Sequence, residues 1–172
     1  MSEIKDFRIL VVDDEEDVRN YLKTALVDAG FQVTTAADGF EALEEVNKKV
    51  PNLVSLDLVM PKHSGVKFHY EMKKDKELSK IPILIVTGHA RDDLGKSDME
   101  KLSMQGPGIY IEKPVSPKKY VSTICQMLEI DVPQGFEVAK DDPEELRNEL
   151  FSSLADADPD ALKKALEAIK KK

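Results

Sequence analysis

Five polar residues stand where apolar stretches of this chain run out. Asp13-Asp14 follows RILVV, Asp57 follows NLVSL, Thr87-Gly88 follows IPILIV, and Lys113-Pro114 follows GIYIE. A carboxylate at the end of a buried run loses hydration, so it needs a partner or a chemical role. Three carboxylates brought within a few ångströms of one another would repel and raise each other's pKa unless a cation sat among them. A hard divalent ion with oxygen ligands suits such a set. Mg²⁺ suits it best, because it accepts one or two carboxylates, a carbonyl and waters. A carboxylate can also act as a nucleophile and form an aspartyl-phosphate. The cation would then offset charge on the transferring phosphoryl group, while a lysine and a hydroxyl take its remaining oxygens. Gly88, beside Thr87, would leave room for that group.

The elements needed to bring these residues together can be read from the pattern. Strands are expected at 7–12, 32–36, 53–57, 81–87 and 108–111. RILVV, NLVSL and IPILIV are nearly continuous apolar runs, as in strands covered on both faces of a parallel sheet. A first helix places Val18, Tyr21, Leu22, Ala25, Leu26 and Ala29 at helical spacing and stops at Gly30. Others are expected at about 39–49, after Gly65, near 92–104, and from the Ser116-Pro117 start signal to about 128. Alternating strands and helices predict an α/β fold, a doubly wound five-stranded parallel sheet with helices on both faces. Such sheets bind ligands outside the carboxyl ends of their strands, and the five polar positions all fall at that edge.

Composition narrows the classes. The 172-residue chain has a formal net charge of −8, with four more acids than bases in each of 1–130 and 131–172. No basic stripe suits a nucleic acid, so no nucleic-acid binding is expected. No apolar run approaches the ~20 residues that span a bilayer, and the N-terminus lacks the layout of a secretory signal. A cytoplasmic protein without membrane contact is therefore expected. The single cysteine, Cys125, falls on an apolar face with Val121, Ile124 and Leu128 and reads as core packing.

In order, VVDDEEDV, LDLVMP with Gly65, IVTGHA and YIEKP resemble the receiver domain of two-component response regulators, over roughly residues 5–130. Alone, an acidic pair reads as a helix cap, Thr87 as a strand-end hydroxyl and Tyr110 as a half-buried strand aromatic. Four motifs in sequence, each closing a strand, are far more specific. The resemblance implies a flavodoxin-like sheet of order 2-1-3-4-5. It implies Asp57 as phosphoacceptor, and Asp13 and Asp14 as holders of Mg²⁺, with Asp57 and the Val59 carbonyl completing the set. It implies Lys113 as partner of the acceptor or its phosphate, with Pro114 following through a cis bond. Thr87 would be the hydroxyl that moves toward the phosphoryl group, and Tyr110 the aromatic switch. The implied partners are a histidine kinase or phosphotransfer protein and a downstream protein, with a homodimer left open.

Two departures bear on function. His63 and Ser64 stand where the family commonly has an apolar residue and an acid; Ser64 is expected to cap the third helix in the acid's place. Val59 and His89, each two residues past a site position, would flank the phosphoryl group. An apolar Val59 cannot hold an attacking water, whereas His89 could orient one.

Residues 131–141 (DVPQGFEVAKD) read as a linker. In 142–172 a pattern repeats at a spacing of 16: Asp142-Pro143 with Leu146, Leu150, Phe151 and Leu154, then Asp158-Pro159 with Leu162, Leu166 and Ile169. Two short amphipathic helices are expected, too short to be stable alone. Two competing functions keep the fold: an adaptor that needs no phosphorylation, and a Mg²⁺-dependent phosphatase or phosphotransferase turning over at Asp57.

Overall fold

The computed structural model describes residues 2–88, 109–139, 143 and 158–170. Five strands, β1 (Arg8–Val12), β2 (Gln32–Ala36), β3 (Leu53–Leu56), β4 (Ile83–Thr87) and β5 (Ile109–Glu112), form one parallel sheet of order β2-β1-β3-β4-β5. The helices are α1 (Glu16–Asp28), α2 (Gly39–Lys48), α3 (Ser64–Lys74), α4 (Pro117–Met127) and α5 (Pro159–Lys170). The helix expected over 92–104, the residue His89 and, apart from Pro143, the first copy of the tail repeat lie outside the described residues.

Strand side chains alternate between two cores. Ile9, Val11, Leu53, Leu84 and Val86 pack on one side with Leu22, Leu26, Tyr120, Ile124 and Cys125. Leu10, Val12, Val54, Leu56 and Ile85 pack on the other with Ala42, Val46, Phe68 and Met72. Each large side chain removed from water in this way contributes roughly 1.5–3 kcal/mol. The continuous apolar runs in the sequence have this cause: both faces of the sheet are covered. Cys125 belongs to this packing, and burial pushes its thiol up to about 11.

The chain divides into two compact units, Met1–Glu137 and Val138–Lys172. That boundary lies beyond the expected start of the linker at 131. Val132 and Phe136 are partly buried against the first core, so the first unit continues through an irregular segment that carries no periodic signal. In the second unit, Asp158 accepts from the Asp160 and Ala161 N–H groups at 3.0 and 2.9 Å and caps α5. Leu162 and Leu166 on that helix are exposed.

Candidate functional site

Strand register decides which polar residues meet. Val12 of β1 lies level with Leu56 of β3, and the Asp57 N–H donates to the Val12 carbonyl at 2.9 Å. Asp13 and Asp57 therefore leave adjacent central strands side by side. The two-residue alternation gives both the parity of Ile9, Val11 and Leu53, which turns them toward the α1 and α4 side. Lys113 has the same parity as Ile111 on β5, a strand that follows β4 in the sheet. Its long side chain spans the difference.

The result is a compact charged cluster. Carboxylate oxygens of Asp13, Asp14 and Asp57 lie within 4.8 Å of one another. Lys113 Nζ is 2.7 Å from Asp13 Oδ2 and donates to Asp57 Oδ2 at 2.9 Å; Glu15 Oε1 is farther, at 3.8 Å. Asp13 and Asp57 are buried, whereas Asp14 is exposed at the mouth. The other carboxylate oxygens serve the local backbone: Asp13 Oδ1 accepts from the Glu15 N–H at 3.0 Å, and Asp57 Oδ1 from the Val59 N–H at 2.9 Å. Burial raises the Asp13 pKa against the lowering pull of Lys113 and the Glu15 N–H. Burial also opposes the Lys113 charge, yet the hydrogen bonds and charges of Asp13 and Asp57 outweigh it and raise the lysine's pKa.

Three carboxylates share one close ammonium, which leaves two negative charges uncompensated when all three are ionised. Asp13 Oδ2 is buried and has Lys113 Nζ 2.7 Å away, and a carboxylate oxygen has a further lone pair with which to accept a cation. The donor set is entirely oxygen. It fits a hard divalent ion.

The close approach of α3 completes the pocket. A Cβ at Gly65 would strike the Asp57 carbonyl oxygen and Leu58, and one at Gly39 would strike the Ser64 carbonyl. Only glycine lets α2 and α3 pack this near the end of β3. Ser64 differs from expectation. It is the first residue of α3, and its buried Oγ has no hydrogen-bond partner, so it does not cap the helix. The preceding turn at Pro61–His63 turns the chain into α3 through a Lys62 φ of 60°. Nor does Asp14 cap α1: Glu15 holds the N-cap position without a side-chain cap bond.

Thr87 ends β4, level with Glu112 of β5, at the same sheet edge; its side chain lies outside the described residues. Tyr110, on β5, is 41% exposed. The Lys113–Pro114 bond is cis. Two donors near the site carried no sequence signal. Arg19 Nη1 donates to the Asp13 carbonyl at 2.7 Å, and the Tyr21 hydroxyl to the Val115 carbonyl at 3.0 Å. Helical spacing assigned Tyr21 to the core, but it is 46% exposed.

A parallel sheet of this order, with an acid cluster and a lysine at its carboxyl edge, is the arrangement of receiver domains. The family model for the response regulator receiver domain matches residues 9–125, and the chain belongs to that family. It is 40% identical over 128 residues to a probable transcriptional regulator, ycf27, of Cyanophora paradoxa, covering 73% of this chain and 50% of the relative. It is 32% identical over 130 residues to the phosphate regulon transcriptional regulatory protein PhoB of Escherichia coli K12, covering 76% and 55%. The chain thus spans about half the length of these curated relatives. Among solved structures, the receiver domain of NtrX from Brucella abortus aligns with a TM-score of 0.61 at 30% identity, over 72% of this chain and 99% of the other. The chemotaxis protein CheY4 of Vibrio cholerae aligns with a TM-score of 0.61 at 27% identity, over 70% and 97%.

Proposed function

We propose that Asp57 accepts a phosphoryl group from a histidine kinase or phosphotransfer protein and that the chain signals through protein–protein contacts. The observation that carries this reading is the Lys113 bridge, 2.7 Å from Asp13 and 2.9 Å from Asp57, inside a cluster of three carboxylates. In the step, a carboxylate oxygen of Asp57 bonds to phosphorus while the bond from phosphorus to the donor breaks. The donor's leaving atom keeps the electron pair, and an acyl phosphate remains on Asp57. Asp13, Asp14, Asp57 and the Val59 carbonyl would hold Mg²⁺, which supplies charge neutralisation on the transferring oxygens. Lys113 would shift from the Asp57 carboxylate to the new phosphoryl oxygens, keeping its charge next to theirs. Thr87 offers a hydroxyl at the same edge, and Tyr110 would change exposure as that hydroxyl moves.

Several features support a surface signal rather than turnover. The proposed nucleophile is buried, and relatives bear the names of regulators. Among the described residues, no helix is long and apolar enough to cross a membrane. Incubation of the full chain with a small acyl-phosphate donor and Mg²⁺ tests the reading. One stable label per chain, lost in Asp57→Asn and on chelation of the metal, is expected. No labelling of the wild type would favour the adaptor. Release of many phosphates per chain would favour a phosphatase.

A further inference from the structure

Lys113 and Asp13 are 2.7 Å apart but belong to loops on opposite sides of β3 and β4 in the sheet. The ion pair draws the two loops together, and the geometry at which they meet depends on what else holds each of them. The only helix that hydrogen-bonds to both, among the described residues, is α1. From its first turns, Arg19 Nη1 reaches the Asp13 carbonyl at 2.7 Å. One half-turn farther, the Tyr21 hydroxyl reaches the Val115 carbonyl at 3.0 Å, two residues past Lys113. We propose that α1 braces the site at two points, with Arg19 a positioning residue for the acidic pair and Tyr21 a positioning residue for Lys113.

The two contacts differ in what they fix. Arg19 is a cation bound to a main-chain oxygen, and a charge-assisted bond of this length is among the stronger kinds. It holds the peptide that joins Asp13 to Asp14 and so sets the direction of both carboxylates. Tyr21 acts on the other loop. The Val115 side chain is anchored in the core, so a bond to its carbonyl leaves the loop little freedom to rotate. Tyr21 as a whole is 46% exposed and adds modest packing, so its hydroxyl is the part with a specific task. A lysine held loosely by its loop still neutralises charge on average. It does not sit where the transferring oxygens will be, and small misplacements of this kind slow reactions strongly.

This inference rests on the phosphoacceptor reading for its rate measurement but not for its other two readouts. Tyr21→Phe removes a single oxygen. Arg19→Met removes the donor and keeps the stem, and Arg19→Lys restores a cation. At saturating Mg²⁺ and donor, Tyr21→Phe should label about fivefold more slowly, with a Mg²⁺ dissociation constant by calorimetry within about twofold of wild type. Arg19→Met should weaken Mg²⁺ binding by about tenfold, as loss of an outer-shell partner does, with partial rescue in Arg19→Lys. Amide hydrogen exchange at Val115 and Ser116 should quicken in Tyr21→Phe and stay unchanged in Arg19→Met. A Tyr21→Phe chain that labels at the wild-type rate with unchanged exchange at Val115 and Ser116 overturns the role of Tyr21. Unchanged Mg²⁺ affinity in Arg19→Met overturns that of Arg19. If the wild type itself takes no label, the phosphoacceptor reading fails, and the calorimetry and exchange measurements still decide the brace.

Discussion

Helices α4 and α5 begin alike and end in different circumstances. Each has a polar N-cap followed by proline: Ser116 accepts from the Lys119 N–H at 3.2 Å, and Asp158 accepts two N–H groups at 3.0 and 2.9 Å. Their lengths are 11 and 12 residues, and both are amphipathic. Yet α4 buries Tyr120, Val121, Ile124 and Cys125 completely, while α5 leaves Leu162 39% and Leu166 52% exposed. The better-capped helix is the less buried one. Caps and periodicity therefore specify that a helix forms and which face is apolar; the stabilisation comes from what that face meets, here the sheet for α4.

Four measurements sharpen the contrast. The largest effect belongs to Ile124→Ala, which should cost about 3–4 kcal/mol in urea unfolding, because the side chain is wholly enclosed and its removal leaves a cavity. Next comes a consequence of burial that α5 does not share among its described residues. His69, buried on α3, has its pKa lowered to about 4 by desolvation and by nearby Lys73, against 6.5 in the unfolded chain. A depressed folded value gives stability that is fully present above pH 6.5 and lost as pH falls toward 4. Between pH 7.5 and 5.5 the wild type should lose about 1 kcal/mol more than His69→Gln does. Third, Ser116→Ala should cost up to about 1 kcal/mol. The smallest effect is that of Leu166→Ala. It should change the stability of the helix's own unit by less than about 0.5 kcal/mol, because the side chain is 52% exposed, and a loss comparable to that of Ile124→Ala would show that this face is covered in solution.

The central part of the site was legible because strand periodicity and polarity point the same way. Asp13 and Lys113 each interrupt a parity that is otherwise apolar, Asp57 ends a run broken before it only by the small Ser55, and parallel register then brings the three together. The covered faces of the sheet were legible for a related reason, since buried parallel strands are apolar throughout, whereas the strand order came from the family resemblance and not from the pattern. Less was legible where a residue's role depends on a long-range partner. Tyr21 fits an i, i+3, i+4 pattern as well as any leucine, and only the folded chain puts its hydroxyl beside a carbonyl 94 residues away. Ser64 carries a cap-forming side chain, but α3 starts on it rather than after it, so the hydroxyl is buried instead. His69 gave no signal, since a histidine on a helix face reads equally well as exposed.

The irregular segment behind α4 has a practical meaning for anyone dissecting the chain. A fragment ended at Ile130, just past the helix begun at Ser116-Pro117, would strip Val132 and Phe136 from the core and leave an apolar patch open to self-association. A fragment ended after Glu137 would keep that patch covered.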